Sequence, residues 1–460
     1  MKQKTLNNKI YFSGVGIHTG VFSNITLIPA EENTGIIFRR NDLENSPEIK
    51  ADVRNVISTD RSTNLGKDGV EINTVEHILA AISGTEIDNI IIEIDNIEVP
   101  IMDGSSREFI KKISEIGTKE QSSEKRFFEI SKRIEYTDEQ SGTEYIALPK
   151  SDFSVEVEID YNSKILGIQQ AKLNTISDFK NEISSSRTFC FLHELEQLLE
   201  NNLIKGGDIN NAIVIVENEI DKDKLSNLAS VFGKEDIQVQ KGGILNNLEL
   251  RHENEAARHK LLDVVGDLTL LGRSIKGKII AKKPGHKHNI QFTKKLQQMM
   301  NEKINKTQPE IDFSTKPLYD REKIKEILPH RDPFLFIDEI REIGNDSIVG
   351  VKHVKEEEDY FKGHFPGAPV MPGVLQLETM AQIGGVLILN TVPDPENYLT
   401  FFMKIDNAKF KRKVVPGDTI VFRLSLISPI RRGLCHMHGK GFVNEKIVVE
   451  GDLLAQIAKK

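Results

Sequence analysis

Apolar residues change their spacing along the chain, and each change predicts an element. In TVEHILAAISG (74–84), Val75, Ile78, Leu79 and Ile82 recur at i, i+3, i+4 and i+7, which predicts a helix, and Gly84 suits its stop. NIIIEIDNIEV (89–99) is dense in β-branched residues and reads as one long strand or a strand pair. FSVEVEIDY (153–161) and NAIVIVEN (211–218) predict further strands, and FLHELEQLLENNL (191–203) a helix. In ARHKLLDVVGDLTLLG (257–272) a stripe of Leu261, Val264, Val265 and Leu268 predicts another helix. Two polar stretches interrupt the pattern. GTKEQSSEKR (117–126) marks a subdomain boundary, and NEKINKTQPEIDFSTKP (301–317), closed by proline and without amphipathic spacing, marks a linker. Beyond it, one helix at about 373–390 precedes three alternating strand segments, 398–410, 419–428 and 439–457. That order predicts a long antiparallel sheet with one central helix. The fold class is α+β, divided as 1–122, 123–302, a linker at 303–317, and 318–460. No solenoid-type repeat is seen.

Composition narrows the class. At 460 residues the chain has room for about three domains. With 38% hydrophobic and 28% charged residues it reads as globular and soluble rather than disordered. A net charge of −8 argues against a nucleic-acid partner. MKQKTLNNKIYFSG has no apolar run of the secretory kind, and the apolar stretch near MAQIGGVLILN is shorter than the roughly 20 residues of a membrane helix. Cys190 and Cys435 lie far apart without a CxxC, so neither a zinc knuckle nor a disulfide framework is indicated, and a reducing cytoplasm is expected.

Chemistry gathers at two places. On the helix of 257–272, His259, Asp263 and Asp267 follow at i, i+4 and i+8, on a face roughly opposite the apolar stripe. His259 and Asp263 are one turn apart and can share an ion. Asp267 is too far from His259 to complete a compact shell, and His252 lies roughly 10 Å away along the axis if helical. A third ligand is available in TVEHIL, where His77 lies off the apolar stripe with Glu76 beside it. A His–His–Asp shell with an open fourth position suits catalytic zinc, and an adjacent glutamate suits a general base on water. An HxxxD spacing is also common by chance, and a lone Glu76 would ordinarily be a solvated helix residue.

GVGIHTG (14–20), TVEHILAAISG, IMDGSS (101–106), SRTFCF (186–191), ARHKLLDVVGDL and KPGHKHN (283–289) occur in this order. Together they resemble the zinc-dependent UDP-3-O-acyl-N-acetylglucosamine deacetylases of lipid A synthesis, over roughly residues 1–300. The resemblance implies two related α/β-sandwich subdomains with the active site between them. It implies one zinc per chain on His77, His259 and Asp263, with Glu76 as the base. It also implies His286 as general acid or electrostatic partner, oriented by Asp267. Lys260 and Thr188 would surround the acetamide and its tetrahedral intermediate, and Phe189 and Phe191 would contact substrate. Zinc would lower the pKa of its water to about 7. Cys190 stands where glycine is expected and reads as a small packing residue. His288 reads as a surface residue, and His18 as a substrate contact.

The second place is GHFPGAPVMPGVLQLETMAQ (363–382), a turn-rich loop leading into an apolar helix. Glu378 on that helix is conspicuous, because desolvation of a buried carboxylate raises its pKa and suits an acid role. From the helix alone, a partner arginine at an interface explains Glu378 as well as catalysis does. LPHRDPFLFID (328–338), GHFPGAPVMPG and LETMAQ resemble the 3-hydroxyacyl-[acyl-carrier-protein] dehydratases over roughly 318–460. That implies a hot-dog fold whose units pair as a homo-oligomer (a dimer or a trimer of dimers), with no cofactor. His364 would remove the C2 proton and Glu378 would help the C3 hydroxyl leave. The Gly373 N–H would polarise the thioester carbonyl, and histidine and acid would come from opposite subunits. Glutamate at 378 favours the plain dehydratase over its isomerising relative, and RDP replaces the commoner RYP. An acidic acyl carrier protein is the implied partner, with KFKRK (409–413) and Arg431–Arg432 as candidate docking residues or a merely solvated strand end. The competing possibilities for this half are a hot-dog thioesterase and a non-catalytic dimerisation scaffold.

Overall fold

The computed structural model describes the chain except for residues 195–210, 219, 221–224, 227–228, 231–236, 241–242, 246–247, 345 and 429. Contacts divide the chain into two units, Met1–Gln298 and Met299–Lys460. Most of the helix expected at 191–203 lies outside the described residues.

The first unit holds two mixed sheets. One has the order Ile10–Val15, Phe22–Pro29, Ile90–Ile94, Ile36–Arg40, Glu48–Lys50, with Ile36–Arg40 parallel to Ile90–Ile94. Of the expected strand 89–99 only Ile90–Ile94 is extended in the sheet; Ile90, Ile92 and Ile94 face the core at the period of two. The other sheet has the order Ile134–Asp138, Thr143–Leu148, Ser274–Lys282, Phe153–Ile159, Gln169–Leu173, and Phe127–Glu129 also pairs with Ser274–Lys282. Helix α1 (Glu76–Gly84) packs against helix α2 (Glu255–Thr269), which in turn rests on the strands Phe153–Ile159 and Gln169–Leu173.

The sequence pattern gave both helices a polar face, yet α1 buries every residue from Glu76 to Ile82, and α2 buries His259 and Leu261–Leu268. The polar faces are buried because they point at one another. A second difference concerns 117–126. Thr118–Glu124 is a strand, paired antiparallel with Lys2–Leu6, and its side chains are polar because they are largely exposed. A third concerns 301–317. Helix α3 runs His286–Lys306, so the first six residues of the expected linker are helical. The rest is tied down by bonds between side chain and backbone: Arg341 Nη1 donates to the carbonyl of Thr315 at 2.8 Å, and Glu445 N–H to Gln308 Oε1 at 2.7 Å. Such bonds leave no pattern in hydropathy.

The second unit is a six-stranded antiparallel sheet in the order Glu339–Ile343, Ser347–His353, Thr419–Leu426, Leu434–Val443, Lys446–Lys459, Tyr398–Phe410, packed on helix α4 (Gly373–Leu389). The expected segment 439–457 is a hairpin, turned at Asn444 and Glu445, which both have positive φ (47° and 64°). The first two strands precede the helix and were not anticipated. Gly439 lets the sheet approach α4, since a Cβ there would lie 2.2 Å from Met380 Sδ.

Candidate active sites

Helices α1 and α2 meet at Gly266, where a Cβ would stand 2.2 Å from the carbonyl oxygen of Glu76. That close approach brings His77 to the His259–Asp263 face. The Asp263 Oδ1 atom lies 3.4 Å from His259 Nε2 and 3.8 Å from His77 Nε2, and ligand atoms of all three residues lie within 4.8 Å of one another. Asp263 Oδ1 and His77 Nδ1 are buried without a hydrogen-bond partner. A buried carboxylate oxygen with no donor is costly unless a cation faces it. His259 Nδ1 donates to the carbonyl of Ser186 at 3.1 Å, which leaves the Nε2 lone pair for an ion. Burial lowers the pKa of His259, and burial with His259 nearby lowers that of His77 to about 3, so both rings are neutral. Asp263 is held anionic well below the usual range: burial opposes this, and His259, Lys260 and His286 outweigh it. Neutral imidazoles and an anionic carboxylate fit a metal ion.

Glu76 and His286 flank the triad. His286 Nε2 lies 3.9 Å from Glu76 Oε1 and 3.8 Å from Asp263 Oδ2. Burial, reinforced by Asp267 and Asp263 against the pull of His286, raises Glu76 to about 7. Burial works against charge on His286, but Asp267, Asp263 and Glu76 raise it to about 9. Asp267 Oδ2 accepts from His286 Nδ1 at 2.9 Å and from Asn289 Nδ2 at 2.7 Å.

Lys260 Nζ donates to Asp263 Oδ2 at 2.9 Å and stands 5.7 Å from the Phe189 ring centroid. Phe189 reaches His259, with ring centroids 6.4 Å apart, and forms an aromatic group with Phe191 and Tyr161. Thr188 is fixed by its backbone, donating to the Gly104 carbonyl and accepting from Ile213 N–H, both at 2.8 Å. Gly104 has φ of +82° and a Cβ there would stand 1.8 Å from the carbonyl oxygen of Asn211, so IMDGSS needs glycine at this point. The segment carrying Thr188, just before the strand Phe189–Phe191, is clamped to α2 by a buried ion pair: Arg187 Nε donates to Glu255 Oε1 at 2.9 Å, and Arg187 N–H to the same oxygen at 3.0 Å. Cys190 packs against the Leu192–Val214 cluster, and burial pushes its thiol up to about 12. His18 is half-buried in the GVGIHTG turn, its N–H bonded to Glu98 Oε1 at 3.0 Å. His288, expected at the surface, is half-buried and meets Tyr136 Oη at 3.0 Å. His252 is 3.3 Å from Ser185 Oγ and outside the triad.

In the second unit His364 is half-buried, with Nδ1 donating to the carbonyl of Val370 at 2.7 Å. Glu378 is only partly buried, with 20% of its side chain exposed, and within the chain it meets Gln382 Nε2 at 3.0 Å and His330 Nε2 at 3.8 Å. Glu378, His330 and Gln382 open onto a cavity of about 170 Å³ that continues past Gly385, Phe402 and Cys435; His364 does not line it. Gly373 is the first residue of α4, among the amides that have no helical acceptor, and a Cβ there would stand 2.7 Å from Phe410. Sequence reasoning missed Thr63, Asn289, Arg187, Glu255, Tyr161, His330 and Gln382. Gln382, four residues beyond Glu378 on one helix, Asn289, three beyond His286, and Glu255, four before His259, carried a spacing signal.

Residues 3–230 and 230–298 match the family described as LpxC, UDP-3-O-acyl N-acetylglycosamine deacetylase, and residues 328–452 match the FabA-like domain. The chain is 46% identical to the bifunctional enzyme LpxC/FabZ of Bacteroides thetaiotaomicron, covering 100% of this chain and 99% of the relative. It is 47% identical to that of Porphyromonas gingivalis, covering 99% and 98%. The UDP-3-O-acyl-N-acetylglucosamine deacetylase of Saccharophagus degradans is 41% identical over 62% of this chain and 87% of its own. The two domain matches in this order, with relatives 46% and 47% identical over essentially the whole chain, mark this protein as a member of the bifunctional LpxC/FabZ family.

Proposed function

We propose that the chain catalyses two reactions. The first unit hydrolyses the N-acetyl group of UDP-3-O-(3-hydroxyacyl)-N-acetylglucosamine. The second dehydrates (3R)-hydroxyacyl-[acyl-carrier-protein] to the trans-2-enoyl thioester. The observation that carries the first is the donor-free Asp263 Oδ1 between His77 and His259. We assign zinc, one per chain, because two imidazoles and a carboxylate with an open fourth position suit it. When bound, zinc supplies Lewis-acid activation of water and of the amide carbonyl. Glu76, raised toward neutrality, takes the proton of the attacking water. His286, kept protonated by Asp267, gives a proton to the leaving amine. Lys260 and Thr188 are assigned to the acetamide and its oxyanion, and Phe189 and Phe191 to substrate contact.

In the second unit His364 acts as the C2 base, its ring oriented through Nδ1 by the Val370 carbonyl, and Glu378 acts on the C3 hydroxyl. The Gly373 N–H polarises the thioester. The site is completed by a second copy, since the edge strand Tyr398–Phe410 leaves Phe401, Phe402, Met403 and Phe410 exposed. For an acidic carrier protein, Arg412, Lys413 and Arg431–Arg432 are the docking candidates, because Lys409 and Lys411 already pair with Glu450. Among the described residues no helix is long and apolar enough to cross a membrane. Both cysteines are free thiols, which fits the cytoplasm as the site of action.

The test assays the purified full chain for acetate release from the UDP-acylglucosamine and for the thioester product from the carrier protein. No acetate removes the first assignment; a free acid in place of the enoyl thioester makes the second unit a thioesterase.

A further inference from the structure

We infer that the Thr63 hydroxyl is a positioning group for the deacetylation, setting the His286–Asp267 pair against Glu76. This rests on the roles proposed above for those three residues. Thr63 precedes the strand Asn64–Lys67 and is fully buried. Each of its polar groups is engaged at the site. Its N–H donates to Glu76 Oε2 at 3.0 Å, and its carbonyl accepts from the N–H of Val75, immediately before α1, at 3.2 Å. Its hydroxyl donates to Asp267 Oδ1 at 2.5 Å and lies 3.3 Å from His286 Nδ1. One residue thereby joins the start of α1, the last turn of α2 and the start of α3.

The hydroxyl has a single proton, and Asp267 takes it. The other oxygen of Asp267 holds His286 and Asn289. Donors on both oxygens fix the plane of the carboxylate, and that plane fixes where His286 Nε2 points, toward Glu76 and Asp263. Without the hydroxyl, Oδ1 is a buried oxygen short of a donor, and the carboxylate gains by turning toward another one. The ring turns with it. The β-branch restricts χ1, so threonine holds the hydroxyl in place better than a freely rotating group. Its neighbours cannot substitute, because Ser62 Oγ and the Thr74 N–H both spend their protons on Asn64 Oδ1.

The experiment compares Thr63→Val and Thr63→Ser in the full chain, measuring kcat, KM, zinc content and thermal unfolding. For Thr63→Val a fall in kcat of about 10–100-fold is expected, with KM and zinc content near those of the parent, and Thr63→Ser restores most of it. A kcat close to the parent's in Thr63→Val overturns the inference, as does a loss confined to KM or matched by lost zinc. If the valine variant does not fold, Thr63→Ala against Thr63→Ser at equal zinc content makes the same comparison: equal rates overturn it, and a rate kept only by serine supports it. Glu76→Gln is assayed alongside. Full activity there removes the base assignment itself, whereas an inactive Glu76→Gln with an active Thr63→Val removes the Thr63 inference alone.

Discussion

Glu76 and His286 stand 3.9 Å apart, and their surroundings push both toward the protonated form, Glu76 less far than His286. Glu76 works as a base only above its pKa of about 7, and His286 as an acid only below about 9. A bound dication favours the anion and disfavours the imidazolium, so it moves both values down. Deacetylase kcat/KM is therefore expected to rise through an acid limb at or below about 7 and to fall through a basic limb at or below about 9. Asp267 is the largest influence raising His286, so Asp267→Asn should move the basic limb to lower pH. An unmoved basic limb in that variant would falsify the assignment of the limb to His286. The ligand choice makes a separate prediction at this scale. His259→Ala is expected to empty the zinc site and His252→Ala to leave about one zinc per chain, read by elemental analysis. Zinc lost from the second variant contradicts the geometry, which puts His252 beside Ser185 instead.

At the scale of elements, the site depends on how closely α2 lies on α1. An alanine at 266 would place its Cβ against backbone, which cannot swing aside, so α1 must move by an ångström or so. Misplacement of that size costs on the order of 100-fold in rate. Gly266→Ala should thus lower deacetylase turnover by about that factor while the dehydratase, in the other unit, keeps its rate; parental deacetylase turnover would show that the helices tolerate the shift. The Arg187–Glu255 clamp is the second device, with side chains 5% and 0% exposed. Glu255→Ala leaves a buried guanidinium unpaired, and a loss of about 3–5 kcal/mol in the denaturant unfolding of the first unit is expected. A change under about 1 kcal/mol would mean that the pair is stabilised no more than a surface one. These devices explain what the sequence could and could not show. The periodicity of α1 and α2 was legible, and so was the pairing of His259 with Asp263 one turn apart. Their mutual burial was not, because facing polar stripes look like solvated ones until the partner helix is known. Thr118–Glu124 escaped for the opposite reason: an exposed edge strand needs no apolar alternation, only a neighbour's backbone. Glu378 was legible as an odd carboxylate on an apolar helix, but its partners within the chain, Gln382 and His330, were not.

For the molecule as a whole, the chemistry assigned to the two units differs in kind, and this gives a test that needs no mutation. Among the described residues, the cluster suited to a metal is His77, His259 and Asp263, in the first unit. The roles proposed for His364 and Glu378 in dehydration are proton transfers, for which no metal is proposed. Both substrates carry a 3-hydroxyacyl chain, which gives a rationale for joining the two activities in one polypeptide. Channelling does not follow from it, since the deacetylated sugar nucleotide is not a thioester. Removing metal with a chelator should therefore abolish acetate release and leave enoyl formation at its starting rate, and added zinc should restore the first. Glu378→Gln should do the reverse, cutting dehydration while acetate release continues. If chelation slowed both reactions together, the second unit would be drawing on the metal site of the first, and two independent chemistries on one chain would no longer describe this protein.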